Sequence, residues 1–170
     1  MKREFLPLSK SWAIRMIFLD MLYGKKTGYK VINYFRKQSK NDLSNDINAA
    51  MRCAENYLSG KNVYNVGNAG TVCRFIIYVM FGKKRKLRMG EQLRERFKKR
   101  KELENLPKDL TILPLTKLMG LRTSQYASAA MLMGMQPILG LHPKCDLTIE
   151  ARQAYFANDG KWIPRYDEVI

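Results

Sequence analysis

Three places in the chain set hydroxyl, amide and basic side chains at the start of an apolar helix. The first is Lys10-Ser11 with Arg15, four positions after Ser11 and so on the same helix face. The second is Gly67-Asn68-Ala69-Gly70-Thr71 with Arg74, and the third is Thr123-Ser124-Gln125. The first backbone N–H groups of a helix lack intrahelical partners, and together with the helix dipole they attract an anion. Gly70 lets a ligand approach the backbone closely. The Thr71 hydroxyl can cap the helix or donate to a ligand, and Arg74 adds fixed charge one turn further on. The chemistry these residues support is recognition of phosphate or carboxylate. Each start also fits a simpler arrangement, a capped core helix with its bases elsewhere, and Ser9 is a natural N-cap for the first.

The elements that must position these groups follow from apolar periodicity. Trp12–Leu22 reads as a strongly apolar helix, and Val63–Val66 as a strand that breaks at Gly67. Val72–Phe81 is apolar on nearly every face, as in a buried helix. Ser44 or Asp46 can cap a helix running to about Leu58, with Ile47, Ala50, Met51, Ala54 and Leu58 on one face. Tyr126–Met135 is a third apolar helix, rich in small residues, whose methionines read as core filler. Phe5–Leu8, Tyr29–Phe35 and Leu110–Leu113 read as extended segments. Glu91–Lys101 has helical composition with weak amphipathicity, and Leu147–Asn158 reads as a short amphipathic helix after the breaks at Pro137, Gly140 and Pro143. His142, the only histidine, carries no catalytic role in this reading. The recurring order of extended segment, small polar residues and buried helix predicts parallel helices with their N-terminal ends on one side.

With 170 residues and 46% hydrophobic content, the chain can bury one core. No segment approaches the roughly 20 apolar residues of a membrane span. The charged N-terminus is not followed by a secretory-type apolar run. Cys53, Cys73 and Cys145 are far apart and match neither zinc spacing nor an even disulfide framework, so a reduced, cytoplasmic protein is expected. The net charge of +16 sits in two blocks, +8 over residues 1–40 and +9 over residues 81–101. Such blocks suit polyanions: nucleic acid, acidic membrane surfaces or phosphorylated small molecules.

The three starts, in this order, resemble the N-terminal half of the 5-enolpyruvylshikimate-3-phosphate synthases, a branch of the enolpyruvyl transferase family. Leu6-Pro7-Leu8-Ser9-Lys10-Ser11 with Arg15 is similar to that family's P-x-S-K-S-x-x-x-R element. Leu43-Ser44-Asn45-Asp46 with Met51 resembles L-x-S-x-D-x-x-x-M, slightly shifted. Gly67-Asn68-Ala69-Gly70-Thr71 with Arg74 matches G-N-A-G-T-x-x-R, the most specific of the set. Gly90-Glu91 followed by Arg94-Glu95-Arg96 resembles G-x-x-R-M-x-x-R-P, one residue short and with Phe97 in place of proline. Thr123-Ser124-Gln125-Tyr126 with Ser128 and Ala129 resembles S-S-Q-[FY]-x-[ST]-A.

The resemblance implies an α/β (α+β) fold built from βαβαββ units with buried parallel helices, over residues 1–135, and a C-terminal extension over 136–170. It implies transfer of enolpyruvate from phosphoenolpyruvate to shikimate 3-phosphate, a step of chorismate and aromatic amino-acid biosynthesis, with no metal or organic cofactor. Carried over residue by residue, Lys10 would bind phosphoenolpyruvate, and Ser11 and Arg15 the phosphate ester of shikimate 3-phosphate. Asn68, Gly70 and Thr71 would wall the phosphoenolpyruvate pocket, and Arg96 would hold its phosphate. Ser124 and Gln125 would hold shikimate 3-phosphate, with Thr123 replacing a serine. The acid–base motifs of the family's second domain are not found after residue 135, and Asp167 and Glu168 lack a matching context. The resemblance is therefore to a truncated, degenerate or split half, which would bind phosphorylated ligands weakly and would need a partner chain or a self-assembled second half for turnover. A small basic nucleic-acid-binding protein is the alternative, resting on Lys83–Lys101 and the total charge.

Overall fold

The computed structural model describes residues 9–121, 123–136, 140, 142–158 and 160. The expectations for Phe5–Leu8, Arg122, Asp167 and Glu168 lie outside these residues. The fold is mixed α/β and mostly helical. The described strands, β1 (Val63–Gly67) and β2 (Lys86–Met89), form a two-stranded parallel sheet. Between them runs α4 (Gly70–Val79), so β1, α4 and β2 make one βαβ unit. Val63 pairs with Lys86 and Asn65 with Arg88, and a register shift before Gly67 lets that glycine pair with Met89 at φ 55°.

Helix α1 (Lys10–Tyr23) is buried from Trp12 to Met21, as an apolar run with few polar breaks demands. Ser9 caps it, its Oγ accepting the Trp12 N–H at 3.1 Å. Helix α3 (Asn45–Leu58) is capped by Ser44 in the same way and buries Ile47, Ala50, Cys53 and Ala54 against α1 and β1. Helix α5 (Glu91–Arg100) buries only Leu93 and Phe97, one turn apart, and leaves its basic side chains outside. A short helix, α6 (Leu115–Met119), precedes α7 (Gln125–Leu132). Helix α8 (Pro143–Ala157), from the segment expected as an extension, packs against α1 and α7.

Two extended segments expected from the sequence are corrected. Tyr29–Phe35 contains helix α2 (Lys30–Arg36) and no strand. Val31, Ile32 and Phe35 recur at helical spacing and face the core, and the buried Asp20 carboxylate accepts the Ile32 N–H at 2.9 Å, capping the first turn from another helix. Leu110–Leu113 holds a single 3-10 turn, Leu110–Ile112, with the Asp109 carboxylate accepting the Thr111 N–H. Leu110 is buried while Ile112 is 75% exposed, so no sheet surface covers the segment. Helix α8 also begins earlier than its periodicity predicts. Pro143 occupies its first turn, where a missing N–H costs nothing, and the His142 Nδ1 accepts the Lys144 N–H.

Side-chain contacts fix helix directions. Near their starts, Lys144 Nζ of α8 donates to Ser11 Oγ of α1 at 3.1 Å, and toward their ends Tyr155 donates to Asp20 at 2.7 Å. Arg15 of α1 reaches Ser128 of α7, and Tyr23 then donates to the Leu132 carbonyl. Gln125 of α7 donates to Thr71 of α4 at 2.7 Å, at the start of both helices. Helices α1, α4, α7 and α8 are therefore parallel, with their N-terminal ends on one side.

Candidate functional site

The best-connected part of that end is the junction of α4 and α7. Gln125 Nε2 donates to Thr71 Oγ1, and Arg74 donates one N–H to Gln125 Oε1 at 2.7 Å. The Arg74 guanidinium turns its other face to Glu102, with Nε and a terminal nitrogen each donating at 2.8 Å. Glu102 also accepts the Tyr126 hydroxyl at 2.7 Å. Burial alone would push the Glu102 carboxyl up, but the hydrogen bonds from Arg74 and Tyr126 and the arginine charge hold it below its ordinary value. Burial and the bond to Glu102 raise the Tyr126 hydroxyl. Arg74 also lies over the Phe97 ring at 4.9 Å. The free positive charge that Arg74 offers in the sequence is thus matched by a buried carboxylate.

The turn before α4 is tied to the turn before α5. Asn68 Oδ1 accepts the Leu93 N–H at 3.1 Å, so this amide caps α5 rather than its own helix. Its side chain lies so close over Gly90 that a Cβ there would run into it. Arg96 returns from the exposed face of α5 to donate to the Asn68 carbonyl at 3.3 Å. Gly70 faces Leu93 and Arg74, where a Cβ would meet the guanidinium at 3.0 Å. No side chain caps α4, and at α7 the Ser124 hydroxyl makes no capping bond while Thr123 Oγ1 accepts the Gln125 N–H at 3.2 Å. The N-cap side chains of α1, α3 and α8 each accept an N–H of their own helix, unlike the N-cap residues of α4 and α7.

The start of α1 forms a second group. Lys10, half-exposed, pairs with Asp46 of α3 at 2.7 Å. Arg15 is 1% exposed, and no carboxylate approaches it among the described residues. Its Nε donates to Thr148 Oγ1 at 2.6 Å, and its other nitrogens to the Ser11 carbonyl and Ser128 Oγ. The guanidinium also lies 5.3 Å from the Phe75 ring centre. Burial lowers its pKa to about 10, which leaves it charged at neutral pH. A buried cation held only by neutral oxygens keeps an outward positive field.

Of the nine residues singled out in the sequence, the structure joins Thr71 with Gln125 and Asn68 with Arg96 directly. Gly70 sits beside that group, and Ser124 precedes Gln125. Lys10, Ser11 and Arg15 are a neighbouring group, linked among the described residues to α4 and α7 through Phe75 and Ser128. Sequence reasoning missed Glu102, Lys144 and Thr148. Glu102 had one signal, an acid directly after a run of four bases, Lys98–Lys101. Thr148 and Lys144 had none, since their partners lie 133 positions away.

A cleft of ≈ 870 Å³ opens between α3, β1 and the turn before α5, and of the nine residues only Asn68 lines it. All three cysteines are free and buried, and burial pushes Cys53 and Cys73 up to about 12. Among the described residues, no group of His, Cys, Asp and Glu could hold a metal ion, and no helix is long and apolar enough to cross a membrane. No protein-family profile, curated protein or solved structure matches the chain.

Proposed function

We propose that the shared N-terminal end of α1, α4, α7 and α8 binds phosphorylated small molecules as an enolpyruvyl-transferase-like half-site. The observation that carries this reading is the pair of adjoining helix starts, α4 and α7, whose N-cap residues make no side-chain capping bond, bridged side by side through Thr71 and Gln125. The first N–H groups of two adjoining parallel helices, of which Thr123 takes that of Gln125, make a concentrated anion-binding surface. The buried, unneutralised Arg15 charge supports it from below. In this reading the β1–α4–β2 unit is what the chain retains of the family's βαβαββ arrangement. Shikimate 3-phosphate takes the side of Ser11, Arg15, Ser124 and Gln125. Phosphoenolpyruvate takes the side of Lys10, Asn68, Gly70, Thr71 and Arg96. Turnover needs acid–base groups beyond those of this half-site.

Calorimetry with shikimate 3-phosphate at moderate salt, then with phosphoenolpyruvate added, tests the proposal. Saturable binding that Lys10→Ala and Thr71→Val weaken, and Asn45→Ala leaves intact, is the expected result. No binding to a folded sample, or binding indifferent to Lys10 and Thr71, overturns it.

A specific observation favours a second reading, nucleic-acid binding. Residues 83–101 hold eleven lysines and arginines and two acids, and no ion pair involves any of them among the described residues. Lys83, Lys84, Lys86, Arg88 and the outer face of α5 are exposed. Oligonucleotide affinity through this face should fall by decades between low and moderate salt, as expected for ~6–10 phosphate contacts. Serines in place of Lys83–Lys86 should remove it without altering shikimate 3-phosphate binding.

A further inference from the structure

We infer that the cleft between α3, β1 and the turn before α5 is a separate ligand site, shaped for a sugar that carries one anionic group. Its volume of ≈ 870 Å³ lies within the range of small-molecule pockets. Seven of its eighteen lining residues carry side-chain amides, and four of these are each held by one end at 3.1 Å or less. Asn56 Nδ2 donates to the Val63 carbonyl at 2.7 Å and Asn48 Nδ2 to the Lys40 carbonyl at 2.9 Å, leaving their oxygens as acceptors. Asn65 Oδ1 accepts the Gly67 N–H and Asn68 Oδ1 the Leu93 N–H, both at 3.1 Å, leaving their NH₂ groups as donors. Each anchored amide has a fixed orientation, so the cleft offers a preset mixture of donors and acceptors. Hydroxyl groups, which both donate and accept, match such a mixture best. Asn45 and Gln92 add further amides with no side-chain hydrogen bond among the described residues.

The charges narrow the class. Both carboxylates of the lining are neutralised, Asp46 by Lys10 and Glu55 by Arg36 at 2.6 Å. Arg52 is exposed and faces no carboxylate among the described residues. Its Nε donates to the Asn65 carbonyl, and a terminal nitrogen lies over Gly67, 3.4 Å from where a Cβ would stand. The remaining N–H groups of that fork suit one phosphate or carboxylate substituent. Among the described residues Phe35 is the aromatic of the lining and is 2% exposed, so they offer no stacking platform for a nucleobase.

The site shares only Asn68 with the proposed half-site, so the two can fail separately. Calorimetry or ligand-observed NMR on the full chain, with ribose 5-phosphate, glucose 6-phosphate, the unphosphorylated sugars and inorganic phosphate, tests the inference. At least one sugar phosphate should bind saturably. Asn45→Ala and Gln92→Leu, which break no bond of the fold, should each weaken it roughly 3- to 10-fold, as for one net hydrogen bond. Arg52→Gln should erase the preference for the phosphorylated over the free sugar, while Thr71→Val should change nothing. Equal binding of inorganic phosphate alone, no binding by any sugar, or a loss in Thr71→Val without one in Gln92→Leu would each overturn the assignment.

Discussion

Replacing Arg74 by methionine should be among the most destabilising single changes in this protein, and the reason is Glu102. The two side chains are 11% and 3% exposed and share two hydrogen bonds of 2.8 Å. Methionine keeps most of the apolar stem but leaves a buried carboxylate with only the Tyr126 hydroxyl. Breaking a buried pair in this way costs about 3–5 kcal/mol, whereas replacing both partners with apolar groups is close to neutral. Arg74→Met should therefore lower the urea midpoint strongly with an unchanged slope, and Arg74→Met/Glu102→Leu should recover most of the loss.

The pH dependence gives an independent check. In the native protein the Glu102 pKa is depressed, so its stabilisation is complete above the unfolded value of 4.5 and is lost as pH falls through the folded value. In Arg74→Met, burial acts without the cation and raises the carboxyl instead. The variant's deficit should then shrink as pH is lowered from 7 toward 5, because protonation relieves it. A cost below about 1 kcal/mol, a double variant no more stable than the single one, or a deficit independent of pH would refute this account of the junction.

Two further outcomes follow from the packing. Gly90→Ala should cost about 1–3 kcal/mol in denaturant unfolding, because the new methyl group displaces the Asn68 amide that caps α5; Asn68→Ala in the same background should then cost little more. The folded protein should show no fast-reacting thiol at pH 8, since Cys53 and Cys73 are pushed up to about 12 and Cys145 is also buried and raised. All three should label promptly in denaturant, and one rapid equivalent without denaturant would contradict the burial.

What the sequence by itself determined is local. The serine caps of α1 and α3, the strand that stops at Gly67 and the buried character of α4 each depend on residues within a few positions. Periodicity and capping chemistry therefore expose them. The grouping of helix starts on one side was also legible, because the same order of small polar residues and apolar helix recurs three times. The tertiary structure decided the rest through partners distant in the chain. Asp20 caps the helix over Lys30–Arg36, turning a run that reads as extended into a helical one. Glu102 neutralises Arg74 from 28 positions away, and Thr148 holds Arg15 from 133. Asn68, read as a ligand group, also caps a neighbouring helix through its side-chain oxygen. Whether a basic or amide side chain at a helix start faces a ligand or the protein depends on which buried group lies opposite it, and chain packing sets that.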